Sequence, residues 1–272
     1  MRSPSKQEIA IAVPILLLLL LVFFAAGGIG LVQFHLQPPS DDRAAELFAS
    51  SVDASESVQA YRYDIEGTAT ATYRNEHRSF TVNGQGAVNR STRRIHITAT
   101  GADDSSEVYV DGYTRYEPCM FSQYSNVEDV RYGVGLDRNV SWTSYTTLGE
   151  LDTLQRLSHV YLAGNATVDG TRARVLVVEP NPTKLDALRP HVRTEETDRA
   201  GSRQWLRDVT VRLWISDETD RLLRLRINRV SRTGTFFGAH IEETFVYTYD
   251  YGPTTVSMPN ETVDSKEECP DP

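Results

Sequence analysis

Apolar and polar residues alternate over much of the chain, and the alternation predicts strands. Residues 211–229, "VRLWISDETDRLLRLRINR", show it most clearly. Val211, Leu213 and Ile215 alternate with Arg212, Trp214 and Ser216, and Leu223, Leu225 and Ile227 alternate with Arg224, Arg226 and Asn228. Asp217 to Asp220 supply the turn between them. The same period of two recurs at 61–74, 79–90, 94–101 and 106–117, with "NG" at 83–84 as a hairpin turn or bulge and "DG" at 111–112 as a tight turn. Two strands flank "DG" within 160–180, and three more are expected at 206–216, 221–232 and 239–251.

Helical spacing is confined to short stretches. Ser40 or Asp41 can cap a helix whose inner positions are Ala44, Leu47, Phe48 and Val52. Leu148, Leu151, Leu154 and Leu157 predict a helix within 147–160, and residues 183–191 a short one stopped by Pro190. The rest of 122–158 loses the alternation, and 192–205 is a polar, charged loop. Nothing repeats at a period of 20–50 residues, which excludes a solenoid or propeller. Nine or ten strands joined by short turns, with two or three helices, make an α+β protein with an antiparallel sheet.

The N-terminus differs from everything after it. Residues 9–32, "IAIAVPILLLLLLVFFAAGGIGLV", carry no charge. As a helix they would extend about 36 Å, enough to cross a hydrocarbon core of about 30 Å. Arg2 and Lys6 precede this run, and the first basic residue after it is Arg43. The charge bias predicts a cytoplasmic N-terminus, a single-pass transmembrane anchor and an extracellular ectodomain. The run exceeds a usual signal h-region, so a retained signal-anchor is favoured over a cleaved signal, although "FFAAGG" offers small residues to a peptidase. The expected organisation is a cytoplasmic segment at 1–8, the anchor at 9–32, a Pro-stiffened linker at 33–43, an ectodomain at 44–259 and an acidic tail at 260–272.

A net charge of −9 argues against a nucleic-acid partner, which needs a basic footprint. Of the 28 basic residues only Lys6, Lys184 and Lys266 are lysines. Abundant acid with little Lys suits a halophile, and the expectation is an archaeal one, while Arg-preferring codons of a high-GC genome are the alternative. Cys119 and Cys269 are the two cysteines, and an even number in an exported domain favours a disulfide over two free thiols. Asn89, Asn139, Asn165 and Asn260 fit the N-glycosylation pattern, with Asn165 and Asn260 in loop-like stretches.

Catalytic and metal chemistry finds no motif. None of the six histidines (His35, His77, His96, His159, His191, His240) sits in a ligand pair, and no GxSxG, P-loop or GxGxxG occurs. The "DETD" of 217–220 could bind a cation, but turn chemistry explains it. The expectation is a protein that is not an enzyme and uses no cofactor or metal.

Several stretches resemble the LolA- and LppX-like lipoprotein carriers and lipid-binding half-barrels of cell envelopes. They are "SVQAYRYDIEG", "EVYVDGYTRYE", "VDGTRARVLVVEP", "VRLWISDETDRLLRLRINR" and "FVYTYDYGPTTVSMP". The resemblance spans 44–259. It implies a strongly curved antiparallel sheet, an open half-barrel, with helices covering the concave face and a remaining groove for acyl chains. Leu213, Ile215, Leu223, Leu225, Ile227, Phe245 and Tyr247 are then groove candidates; alternatively they pack as core under the helices. Many relatives carry a lipobox cysteine or a cleaved signal, whereas this chain shows an apolar anchor, which points to a tethered domain. Two functions follow: a membrane-tethered binder or carrier of a lipid or other hydrophobic ligand, or an interaction or sensor domain with a filled cavity that binds an envelope protein partner.

Overall fold

The computed structural model describes residues 40–73, 76–101, 105–119, 130–181, 184, 204–233 and 240–269. The expected anchor at 9–32 and most of the expected helix at 183–191 lie outside the described residues. Among the described residues no helix is long and apolar enough to cross a membrane.

Helix α1 (Asp42–Glu56) opens the described chain. The Asp41 carboxylate accepts a hydrogen bond from Arg43 N at 3.0 Å, satisfying a backbone donor that the first turn leaves open. Its buried face includes Ala44, Leu47, Phe48 and Val52, the positions the 3.6-residue spacing selects.

Twelve strands then form one open, curved sheet in the order β12-β6-β5-β4-β3-β2-β1-β11-β10-β9-β8-β7. They are β1 (Ala60–Tyr73), β2 (Glu76–Asn89), β3 (Arg94–Thr100), β4 (Ser105–Asp111), β5 (Thr114–Pro118), β6 (Val130–Gly135), β7 (Ser158–Val168), β8 (Thr171–Pro180), β9 (Gln204–Ser216), β10 (Leu222–Thr233), β11 (His240–Asp250) and β12 (Glu261–Val263). Every pairing is antiparallel except β12 on β6, which is parallel. A second helix, α2 (Leu151–Arg156), lies between β6 and β7.

Turn chemistry sets the connections. Asp169 and Gly170 both have positive φ (47° and 85°), as a tight primed hairpin turn between β7 and β8 requires. In the β9–β10 turn Ser216 Oγ accepts from the backbone N–H of Glu218 and Thr219, and Arg174 Nε donates to Asp217 at 2.9 Å. The "DETD" carboxylates thus include one already engaged in closing the hairpin.

Several expectations are corrected. The "NG" at 83–84 is neither turn nor bulge: β2 pairs without a break along β1, and Gly84 lies inside it. A Cβ on Gly84 would come within 2.3 Å of Thr98 O, so the glycine serves close approach to β3. The helix expected within 147–160 shrinks to Leu151–Arg156, because Ser158 to Val160 pair with β8. Asn165 lies in edge strand β7 rather than a loop. Strand β6 was missed in "VRYGVG", where Val130, Tyr132 and Val134 alternate with Arg131, Gly133 and Gly135 over only six residues. On the convex face Arg131 of β6 reaches across β5 to Glu107 of β4, at 2.5 Å. Part of the acidic tail is a sheet edge: β12 pairs with β6, and Cys269 is disulfide-bonded to Cys119 with a Cα–Cα distance of 5.8 Å. Cys119, Val130, Tyr132, Val263 and Cys269 form a small apolar cluster there.

Candidate ligand-binding face

One face of the sheet is apolar, and the register shows how it is built. Along β1, Tyr61, Tyr63, Ile65 and Gly67 point inward while Arg62, Asp64, Glu66 and Thr68 are exposed. Tyr63 stands opposite Tyr249 and Gly86, Ile65 opposite Tyr247 and Gly84, and Gly67 opposite Phe245 and Val82. From β11 the rows continue through Leu225 and Ile227 on β10 to Leu213 and Val211 on β9.

The helices cover one half of this face. Leu47, Phe48 and Val52 of α1, with Trp142, Tyr145, Leu148, Leu151 and Leu154, join Tyr61, Tyr63, Val88, Ile95, Val110 and Tyr249 in a single core cluster. Tyr61, Tyr63 and Tyr249 stack their edges at centroid separations of about 6 Å. Burial pushes all three hydroxyls up, so they stay neutral. Leu148 N and Thr147 Oγ1 lie 3.5 and 3.4 Å from Tyr61 Oη, which ties the turn before α2 to the sheet.

Beyond Ile65 the face opens. Gly67, Ala69 and Ala71 leave a low floor on β1, flanked by Val82 and Phe80 on β2 and by Phe245 and Ile241 on β11. Phe245 leans over Gly67, where a Cβ would meet its ring at 2.8 Å. Phe80 is 40 % exposed, and Ile227, Phe245 and Tyr247 are half-buried.

A charged group sits at the boundary between the two halves. Arg229 stands opposite Glu243 with Nε and Oε2 3.4 Å apart, and its guanidinium lies 5.1 Å from the Phe245 ring. Glu150, just before α2, completes the group. Burial raises its carboxyl to about 7, and the charge of Arg229 offsets part of that rise. An apolar floor with a few polar groups at its margin is the make-up of a pocket that orients an amphiphile.

The seven groove candidates divide accordingly. Leu213 and Ile215 are fully buried and Leu225 nearly so, all three within the core. Ile227, Phe245 and Tyr247 are partly buried at its margin. Leu223 is corrected: a register shift between Leu222 and Arg224 puts Leu222 opposite Ile215, and Leu222 takes the buried place. Arg229, Glu243 and Glu150 were missed. Arg229 was findable as the charge that ends the Leu225, Ile227 alternation; Glu150 carried no sequence signal.

The sequons differ in access. Asn139, Asn165 and Asn260 are exposed. Asn89 is partly buried, and its Nδ2 donates to Thr254 O at 2.9 Å. Among the described residues no group of three or more His, Cys, Asp or Glu could hold a metal ion.

No family model and no curated protein matches the chain. Solved structures do. The lipoprotein LppX of Mycobacterium tuberculosis is 15 % identical, with 80 % of this chain and 100 % of that one covered and a TM-score of 0.46. LprF of Mycobacterium bovis is 13 % identical, with 82 % and 99 % covered and a TM-score of 0.45. A LolA-superfamily protein of Nitrosomonas europaea is 9 % identical, with 76 % and 91 % covered and a TM-score of 0.27.

Proposed function

We propose that this chain is a membrane-tethered extracytoplasmic domain that binds or carries a lipid or other hydrophobic ligand in the cell envelope. Residues 9–32 would hold it in the cytoplasmic membrane, with the sheet outside. The observation that carries the reading is the half-covered concave face. Its open part presents Ala69, Phe80, Val82, Ile227 and Phe245, with Arg229, Glu243 and Glu150 at the margin. Acyl chains would lie on the floor and a polar head would meet the charged group.

A second reading, a protein-interaction or sensor domain with a filled cavity, draws support from the tyrosines that fill the covered half. Organic extraction of the purified protein followed by mass spectrometry separates the two. A defined lipid at near one per chain supports the binder. Clean protein that also takes up no fluorescent acyl probe overturns it in favour of the second reading.

A further inference from the structure

The hairpin of β1 and β2 pairs without interruption out to Tyr73 opposite Glu76. Near its tip stand two large exposed aromatic residues, Tyr73 at 45 % and Phe80 at 40 %. Both belong to the concave side, since Tyr73 follows Ala71 by two positions and Phe80 lies opposite Ala69. Exposed Arg78 is opposite Ala71, and exposed His77 bonds Thr72 Oγ1 at 3.0 Å; exposed Glu76 is the acidic neighbour.

The described chain starts on the same side. Ser40 Oγ accepts from Val160 N at 3.1 Å, and Asp41 N donates to Val160 O at 3.0 Å. Val160 is opposite Val178, and the row runs on through Val211, Ile227 and Phe245 to Gly67. The start of α1 is therefore level with Gly67, roughly 20 Å along the strand from Tyr73. Residues 33–39 could reach about 22 Å as an extended, Pro-containing linker, a similar distance.

Resting on the tethered reading above, we propose that Tyr73 and Phe80 dock the β1–β2 tip on the surface of the bilayer that holds residues 9–32. The open end of the concave face then meets lipid. Tyrosine and phenylalanine suit the headgroup boundary, and Arg78 can donate to lipid phosphates. The tether makes the bilayer the occupant, because Gly67 is midway along β1 and residues 33–39 bring either end of the strand within about a linker's length of the membrane. The exposed aromatic pair then selects the Tyr73 end.

The test uses the full chain in vesicles of phosphatidylcholine and phosphatidylglycerol, with its native disulfide intact. A polarity-sensitive fluorophore is placed at Ser79→Cys beside the tip, or at Ser91→Cys in the β2–β3 turn at the far end. Nitroxide lipids serve as quencher, and flotation reports tethering. The expected result is blue-shifted, quenched emission at position 79 only, lost when Tyr73→Ser and Phe80→Ser are added. Water-like emission at both positions in a chain that floats overturns the docking, leaves the tether standing and frees the tip for a protein partner. Quenching that survives the double substitution overturns the role of the two aromatics. A chain that does not float overturns both proposals.

Discussion

The ring of Tyr63 lies directly over Gly86: a Cβ on that glycine would come within 2.0 Å of Tyr63 Cζ. Tyr63 is almost fully buried and touches Tyr61, Tyr247 and Tyr249, so it has nowhere to retreat. Gly86→Ala should therefore destabilise the fold by about 1–3 kcal/mol through overpacking, against the small gain a strand expects from losing a glycine. Thermal unfolding of the variant beside the parent reads this directly. An unchanged midpoint would mean that the tyrosine layer repacks freely.

The disulfide links Cys269, shortly after β12, to Cys119 at the end of β5, across 150 residues of sequence. The chain-entropy account gives such a loop about 5 kcal/mol as an upper figure. Strand β12 has only three paired residues, Glu261 to Val263, so its hold on β6 depends on the bond. Replacing both cysteines by alanine should lower the unfolding midpoint. It should also speed amide exchange at Val263 well before exchange rises in β1 or β11. Equal protection at Val263 in both forms would show that the β12 pairing stands without the crosslink.

The strands most readable from sequence were the long ones with one wet and one dry face. β9, β10 and β11 lie within two residues of the expected bounds, because their inward residues, Leu213, Leu225 and Phe245 among them, recur at a period of two. Where that pattern is brief, the reading fails. In β6 Val130, Tyr132 and Val134 alternate with Arg131, Gly133 and Gly135 over only six residues, and β12 is too short to show a period. Glycines misled for the opposite reason. Gly84 looked like a turn but is a contact point between strands, a distinction that depends on the partner at Thr98. The groove residues were chosen by alternation alone, which separates inside from outside but not covered from open. Only the placement of α1 and α2 distinguishes Leu213 from Ile227.

The Glu150 carboxyl gives the fold a pH dependence of known sign. Its ordinary value is 4.5, and burial lifts it to about 7 in the folded chain. Between these values the folded chain keeps a proton that the unfolded chain has lost. Stability therefore falls as pH rises across the window, and the loss is complete above about 7. The full effect is at most about 3 kcal/mol. Glu150→Gln should flatten the pH dependence of the unfolding midpoint between pH 5 and 7 and raise the midpoint at pH 8. A variant that tracks the parent at every pH would place the carboxyl in water.

Filling the open half of the face should separate binding from folding. Ala69 lies between Phe80 on β2 and Glu243 on β11, on the low floor beyond the helices. A tryptophan at this position has room only in the space assigned to the ligand. Ala69→Trp should abolish uptake of a fluorescent acyl probe while leaving the unfolding midpoint close to that of the parent. Thr68→Trp, one residue earlier on the exposed convex face, should leave both unchanged. Retained uptake in Ala69→Trp would move the ligand off this part of the sheet. A large fall in stability would mean instead that the floor is packed more tightly than the half-burial of Ala69 implies, and the neighbouring Ala71→Trp then repeats the test one row further out.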